Sequence, residues 1–164
     1  MSVYKIYLDM DGVIADFEER FVGLFGEDSY RNDRSRKNFS ENWEQFVTTS
    51  QFETLNWFKG ANELLDYINK LGVEIEILSS SGGPKFHNLV AEQKKKWLSE
   101  RGLNYKPNIV SGKKKKAEFA TPKSILIDDT PEVIQYFTEA GGIGILHKDL
   151  GETLSKLKQL FNDA

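Results

Sequence analysis

Short apolar runs alternate with helical stripes along most of this chain, and that alternation leaves few folds open. Residues 3–8, 73–78, 108–110, 124–127 and 142–146 read as strands. Between them, Ala61, Leu64, Leu65, Ile68 and Leu71 form a helical stripe that Gly72 stops. Phe86, Leu89, Val90, Trp97 and Leu98 mark a helix ending near Gly102, and residues 113–120 a short one. Thr130-Pro131 opens a helix through Val133, Ile134 and Phe137, with proline at its first position. Leu154, Leu157 and Leu160 place a last helix over 153–161. Strands separated by helices pair in parallel, because the crossover needed to reach a parallel neighbour is long enough to be a helix. The expected fold is α/β: a three-layer, Rossmann-like parallel sheet with helices on both faces. In such sheets ligands bind beyond the carboxyl ends of the strands.

The alternation breaks once, directly after the first strand. Phe17, Phe21, Leu24 and Phe25 predict a helix from about Ala15 to Gly26. Residues 27–38 are polar and aperiodic. Ser40 reads as the cap of a second short helix carrying Trp43, Phe46 and Val47, and Phe52, Leu55, Trp57 and Phe58 lead back. The expected organisation is a core of residues 1–15 and 59–164 with a small helical insert at 16–58.

Polar residues collect where the strands stop. Asp9 and Asp11 follow the first strand, Ser79-Ser80-Ser81-Gly82-Gly83 the second, and Asp128-Asp129 a later one. Residues two apart in extended chain point the same way, so Asp9 and Asp11 can aim at one point. Gly12 lets the backbone turn there. Paired like charges need neutralisation, and Mg²⁺ is the first choice for hard oxygen ligands. Each element also has a plainer reading: turn aspartates, turn serines with Ser81 bonding backbone, and Asp128 or Thr130 capping the helix at Pro131.

Composition narrows the function classes. At 164 residues the chain can bury a sizeable core. A formal charge of −3 and a pI near 5.5 argue against a stable nucleic-acid partner. With no cysteine there is no disulfide, thiolate metal site or cysteine nucleophile. No apolar run approaches the roughly 20 residues of a membrane span, and Met1 leads straight into a strand rather than a signal peptide. A cytoplasmic protein, monomer or homodimer, is expected.

Taken together, Asp9-Met10-Asp11-Gly12-Val13, Ser80 (or Ser79), a lysine of the 113–116 run and Asp128-Asp129 resemble the four motifs of the haloacid dehalogenase superfamily. Lys116 fits the third motif best through Lys-x-x-Phe-Ala, with Lys115 next. One branch fits more closely. Residues 9–17, Lys85-Phe86-His87, the helix with Glu92, Lys95 and Trp97, and Leu126-Ile127-Asp128-Asp129 are similar to the 5′(3′)-deoxyribonucleotidases. The resemblance covers residues 3–20 and 57–130 and is weaker elsewhere.

The resemblance implies a Mg²⁺-dependent phosphatase of nucleoside monophosphates, with a small-molecule nucleotide as its partner. Asp9 would attack phosphorus and Asp11 would act as acid and then base. Ser80, with Ser81, and Lys116 would bind the phosphate. Asp9, Asp129, the Asp11 carbonyl and, nearby, Asp128 would hold the metal. The insert would close over the substrate, with Phe17 lining the nucleobase pocket. Trp43 and Phe46 are further candidates by composition; the alternative for Trp43, Phe46 and Phe52 is a core fastening the insert. Lys85 is placed near the phosphate end of the second strand, His87 on a helix surface and His147 in a loop. The competing functions are a phosphatase for another small phosphate or a polynucleotide end, and a non-catalytic phosphate-binding module of the same fold.

Overall fold

The computed structural model describes residues 3–31 and 36–162. Five strands, β1 (Lys5–Leu8), β2 (Glu74–Ser80), β3 (Lys106–Val110), β4 (Ser124–Asp128) and β5 (Ile143–Leu146), form one sheet ordered β3-β2-β1-β4-β5. Every pairing is parallel. β1 is central, and Leu8 is in register with both Ile77 of β2 and Ile127 of β4. The Asp9 amide then bonds the Ile127 carbonyl at 3.0 Å, so the chain leaves β1 beside the end of β4. The order reverses between β1 and β4, which opens a crevice at their carboxyl ends.

Several strands outlast their apolar runs. Ser79 and Ser80 remain paired with Ile109 and Val110, β3 begins at Lys106, and Asp128 still pairs with Leu146. Ladder hydrogen bonds belong to the backbone and continue past the last apolar side chain. Ser79, Ser80 and Asp128 therefore sit on the last rungs of the sheet, while Asp9, Asp11 and Asp129 follow just beyond β1 and β4.

Side-chain alternation divides the core. Ile6 and Leu8 of β1 face one way, with Ile77, Ile125, Ile127 and Ile145. Onto them pack α4 (Ala61–Asn69), α5 (His87–Glu100) and α7 (Leu150–Asn162), through Leu64, Ile68, Val90, Trp97 and Leu157. Tyr7, Leu78 and Leu126 face the other way, against Val133 and Phe137 of α6 (Pro131–Glu139). The short helix after β3 is a 3₁₀ segment, Lys113–Phe119. α7 starts earlier than its leucines suggest, because the Asp149 side chain accepts from the Glu152 amide at 2.9 Å.

Residues after β1 fold as α1 (Phe17–Phe25), α2 (Asp28–Arg31), α3 (Arg36–Thr48) and a 3₁₀ turn, Gln51–Thr54. Asp16 caps α1, accepting from the Glu19 amide. Ser40 is no cap: it lies inside α3, whose apolar face runs through Phe39, Trp43, Phe46 and Val47 and so extends back beyond it. The segment's two ends are pinned together. Asp16 N donates to Asn56 O at 2.9 Å and Phe58 N to Ile14 O at 2.8 Å.

α5 anchors this segment to the sheet. Gln93 Nε2 donates to Val47 O at 2.7 Å, and Trp97 Nε1 donates to Leu55 O at 2.8 Å. The fully buried Trp97 also meets Trp57 edge-on and carries the Arg101 guanidinium over its ring. No helix among the described residues is long and apolar enough to cross a membrane. Trp97→Ala is expected to lower the unfolding free energy by about 3–5 kcal/mol, read from the urea midpoint at unchanged m-value.

Candidate active site

The turn after β1 is wound tightly around one carbonyl. Met10 O accepts from the amides of Val13, Ile14 and Ala15 at 3.1, 2.9 and 2.9 Å. Gly12 adopts φ +80°, and a Cβ there would fall on the Asp129 carboxylate. A side chain at position 12 would thus be strained and would displace that acid. The glycine brings the turn after β1 against the end of β4.

Charge concentrates at this point. The Lys116 ammonium lies 3.2 Å from Asp9 Oδ1 and 2.7 Å from Asp128 Oδ2. All three are buried: Lys116 at 3 % exposure, Asp9 at 5 % and Asp128 at 0 %. The other Asp128 oxygen accepts from the Thr130 amide at 3.0 Å, so Asp128 both supports the start of α6 and partners the lysine. Burial alone would lower the Lys116 pKa, but the charges of Asp9 and Asp128 outweigh it and hold the ammonium above its ordinary range. Asp128 is pushed up to about 6 by burial and by Asp9, with Lys116 opposing. Asp129 is pushed up to about 8 by burial and by the charges of Asp9, Asp128 and Asp11.

Asp9, Asp128 and Asp129 each offer one oxygen, all within 4.8 Å of one another. A set of hard oxygen donors in which two members hold protons too tightly fits a divalent cation, which would relieve that repulsion.

A cleft of about 450 Å³ opens over these residues. Its lining combines Asp9, Asp11, Ser80, Lys113, Lys116 and Asp129 with a group of mutually contacting rings, Phe17, Tyr30, Phe39 and Trp43. The indole of Trp43 rests on Gly82, where a Cβ would approach it to 2.7 Å. Phe17 stacks on Phe52 at 5.6 Å between centroids. Phe46 and Phe52 are fully packed into the core and do not line the cleft, unlike Trp43.

The serines separate sharply. Ser80 faces the cleft, its Oγ accepting from the Gly82 amide at 3.1 Å. Ser79 is buried, bonded to Lys94. Ser81 is turned away from the cleft: its buried hydroxyl donates to Gly83 O and bonds His87 Nδ1 at 2.8 Å. The Gly82-Gly83 turn reverses the chain and takes Ser81 with it. His87 is therefore a turn partner rather than free helix surface. Lys85 is exposed, over the Phe86 ring and 3.8 Å from Glu44, outside the cleft. Lys115 bonds Ser111 at the surface. His147 lies in the loop after β5 but is buried, bonded to Thr153 at 2.6 Å, and burial lowers its pKa.

The family model for the 5′ nucleotidase, deoxy (pyrimidine), cytosolic type C proteins matches residues 2–150. This chain belongs to that family. A comparison with curated proteins gave no match. Among solved structures, the chain is similar to a hydrolase from Streptococcus pneumoniae TIGR4, at 15 % identity and TM-score 0.52, covering 99 % of this chain and all of that one. It is also similar to a haloacid dehalogenase superfamily hydrolase from Ehrlichia chaffeensis, at 15 % identity and TM-score 0.54, with 99 % and 98 % covered. A dehalogenase gives 12 % identity and TM-score 0.57, with 97 % of each chain covered. At these identities the likeness is one of fold, and it agrees with the all-parallel sheet. The nucleotidase family membership makes this a phosphohydrolase, and its fold is like that of the haloacid dehalogenase superfamily hydrolase.

One site residue escaped the sequence reading. Lys94, on α5, is 1 % exposed and donates to Asp11 Oδ2 at 3.1 Å, Ser79 Oγ at 2.6 Å and Ser80 O at 2.9 Å. Burial raises the Asp11 pKa, with the Lys94 charge opposing. The signal was helical phase: position 94 falls between Val90 and Leu98 on the buried face, despite its place in a Lys-rich run.

The raised carboxylates set a pH dependence. Folded Asp129 keeps a proton that the unfolded chain releases near pH 4, so in this window the folded state binds more protons and stability falls as pH rises. With a chelator present, Asp129→Asn is therefore expected to gain thermal stability over wild type progressively from about pH 4 to about pH 8, measured as the difference in Tm.

Proposed function

We propose that the chain hydrolyses the phosphate ester of (deoxy)ribonucleoside monophosphates through an aspartyl-phosphate on Asp9. The observation that carries this reading is the mixed lining of one cleft, which brings carboxylates and two lysines together with four aromatic rings. A nucleotide has the matching combination, an anionic phosphate and a flat base. The nucleotidase family membership supports the same substrate class. Its cytosolic description supports a cytoplasmic setting.

Asp9 is the buried carboxylate that both lines the cleft and pairs with Lys116, and it attacks phosphorus in line with the departing ester oxygen. As the phosphorus–oxygen ester bond breaks, Asp11 gives its proton to that oxygen and frees the nucleoside. Asp11 then takes a proton from water, whose oxygen attacks phosphorus and releases Asp9 and inorganic phosphate. The Ser80 hydroxyl and the Lys116 ammonium hold the phosphoryl oxygens and offset their charge. Asp9, Asp129 and the main-chain carbonyl of Asp11 would hold Mg²⁺, with Asp128 beside them. Bound there, the ion supplies Lewis-acid polarisation of a phosphoryl oxygen.

The 16–58 insert acts as the cap over this floor. Its aromatic side bears on the base and excludes water from the phosphate. The open rim at Lys113 is compatible with a longer anionic substrate, so a 3′-phosphorylated oligonucleotide is the natural competitor in an assay.

Phosphate release measured with Mg²⁺ over nucleoside monophosphates, sugar phosphates, a 3′-phosphorylated oligonucleotide and p-nitrophenyl phosphate tests the assignment. Nucleotides are expected to turn over best, and no advantage over the aryl ester would defeat the substrate reading. Asp9→Asn is expected to reduce turnover by at least about 10³-fold with the melting curve still cooperative. Base stacking on an aromatic ring is worth about 1–3 kcal/mol, so Trp43→Ala should raise KM for a nucleotide about tenfold or more at nearly constant kcat. The same variant should leave KM for inorganic pyrophosphate or another base-free phosphate nearly unchanged.

A further inference from the structure

We propose that Lys94 is a positioning residue for Asp11, holding that carboxyl where it can protonate the departing ester oxygen. The proposal rests on the phosphatase reading above and deepens it. It begins from an anomaly in α5, whose inner face is otherwise built from Val90, Ala91, Trp97 and Leu98 with one buried amide, Gln93. An ammonium at 1 % exposure is destabilising unless fully paired. Lys94 is fully paired: its three protons meet Asp11 Oδ2, Ser79 Oγ and Ser80 O, and the Phe52 ring closes the remaining side at 5.2 Å.

That geometry separates Lys94 from Lys116. Lys116 lines the cleft, whereas Lys94 does not and has no donor left for a phosphate. Tying α5 to the end of β2 requires only the bonds to Ser79 and Ser80. The third bond reaches across the sheet to the turn after β1 and fixes one oxygen of Asp11. Among the described residues, the other oxygen, Oδ1, has no hydrogen-bond partner. Among the described residues, the bond from Lys94 is the one hydrogen bond that holds the Asp11 carboxyl. A proton donor works only within hydrogen-bond reach of the atom that receives the proton.

The chemistry provides a selective readout. A sugar alkoxide is a poor leaving group and needs the Asp11 proton as its bond to phosphorus breaks. A 2,4-dinitrophenolate leaves without one. In Lys94→Met, kcat for a deoxyribonucleoside 5′-monophosphate should fall on the order of 10²-fold, while kcat for 2,4-dinitrophenyl phosphate falls less than about fivefold. KM for both should stay within about threefold. Asp11→Asn should give the same pattern, and adding Lys94→Met to it should cost little more, because both changes remove one function. An equal loss on both esters, or no loss on the nucleotide, overturns the proposal. Should Lys94→Met fail to fold, Ser79→Ala removes one anchor of the ammonium and carries the test: a smaller loss confined to the nucleotide supports the proposal, and an unselective loss or none overturns it. A wild-type chain inert toward both esters instead defeats the phosphatase reading, and the role of Lys94 with it.

Discussion

Everything at the top of the sheet depends on one buried ammonium between two carboxylates. Parallel register brings Asp9 alongside Asp128, because β1 and β4 are neighbours with Leu8 opposite Ile127. Two carboxylates placed so by the backbone repel in a medium that screens poorly. Lys116 offsets that repulsion from a short 3₁₀ segment ahead of β4, and it is buried as its partners are. Asp129 adds a further acid that Lys116 does not contact. The excess of negative charge is what makes the site suited to a cation.

A second layer of organisation joins this floor to the aromatic side of the cleft. Phe17 leaves the turn after β1 and stacks on Phe52, and Phe52 in turn covers the Lys94 ammonium. Trp43 rests on Gly82, just beyond Ser80. The rings that line the cleft thus touch the same short segments that carry its polar groups. Gln93, Lys94 and Trp97, within one five-residue stretch of α5, fasten respectively α3, the turn after β1 with the end of β2, and the return of the insert.

The sheet and its acidic ends were legible because both are written in short-range pattern. A buried parallel strand is a continuous apolar run, and Asp9-x-Asp11-Gly12 and Asp128-Asp129 stand immediately after such runs. What the pattern hid were features set by three-dimensional partners. Ser40 looks like a cap, yet Phe39 one residue earlier already belongs to the helix's apolar face. Ser81 is chemically the same as Ser80, and only the Gly82-Gly83 turn directs it toward His87. Lys94 stands in a run of three lysines, of which it alone is buried. Its burial follows from helix phase, but its pairing with Asp11 across 83 residues does not. Among the aromatics of residues 16–58, composition could not distinguish Trp43, which borders the cleft, from Phe46, which does not.

The pinned ends of the segment after β1 have a consequence for how such a chain can change. Ala15 bridges Trp57 in antiparallel fashion outside the sheet, so the chain departs at residue 16 and returns at residue 56 at one spot. What lies between them packs its apolar side into the same core as the sheet. Doubling the length of a flexible loop costs only about 0.6 kcal/mol more in closure entropy, so insertions there disturb neither strand register nor the spacing of the acids. Substrate range is then free to diversify by exchange of this segment, provided the replacement keeps an apolar underside for α5.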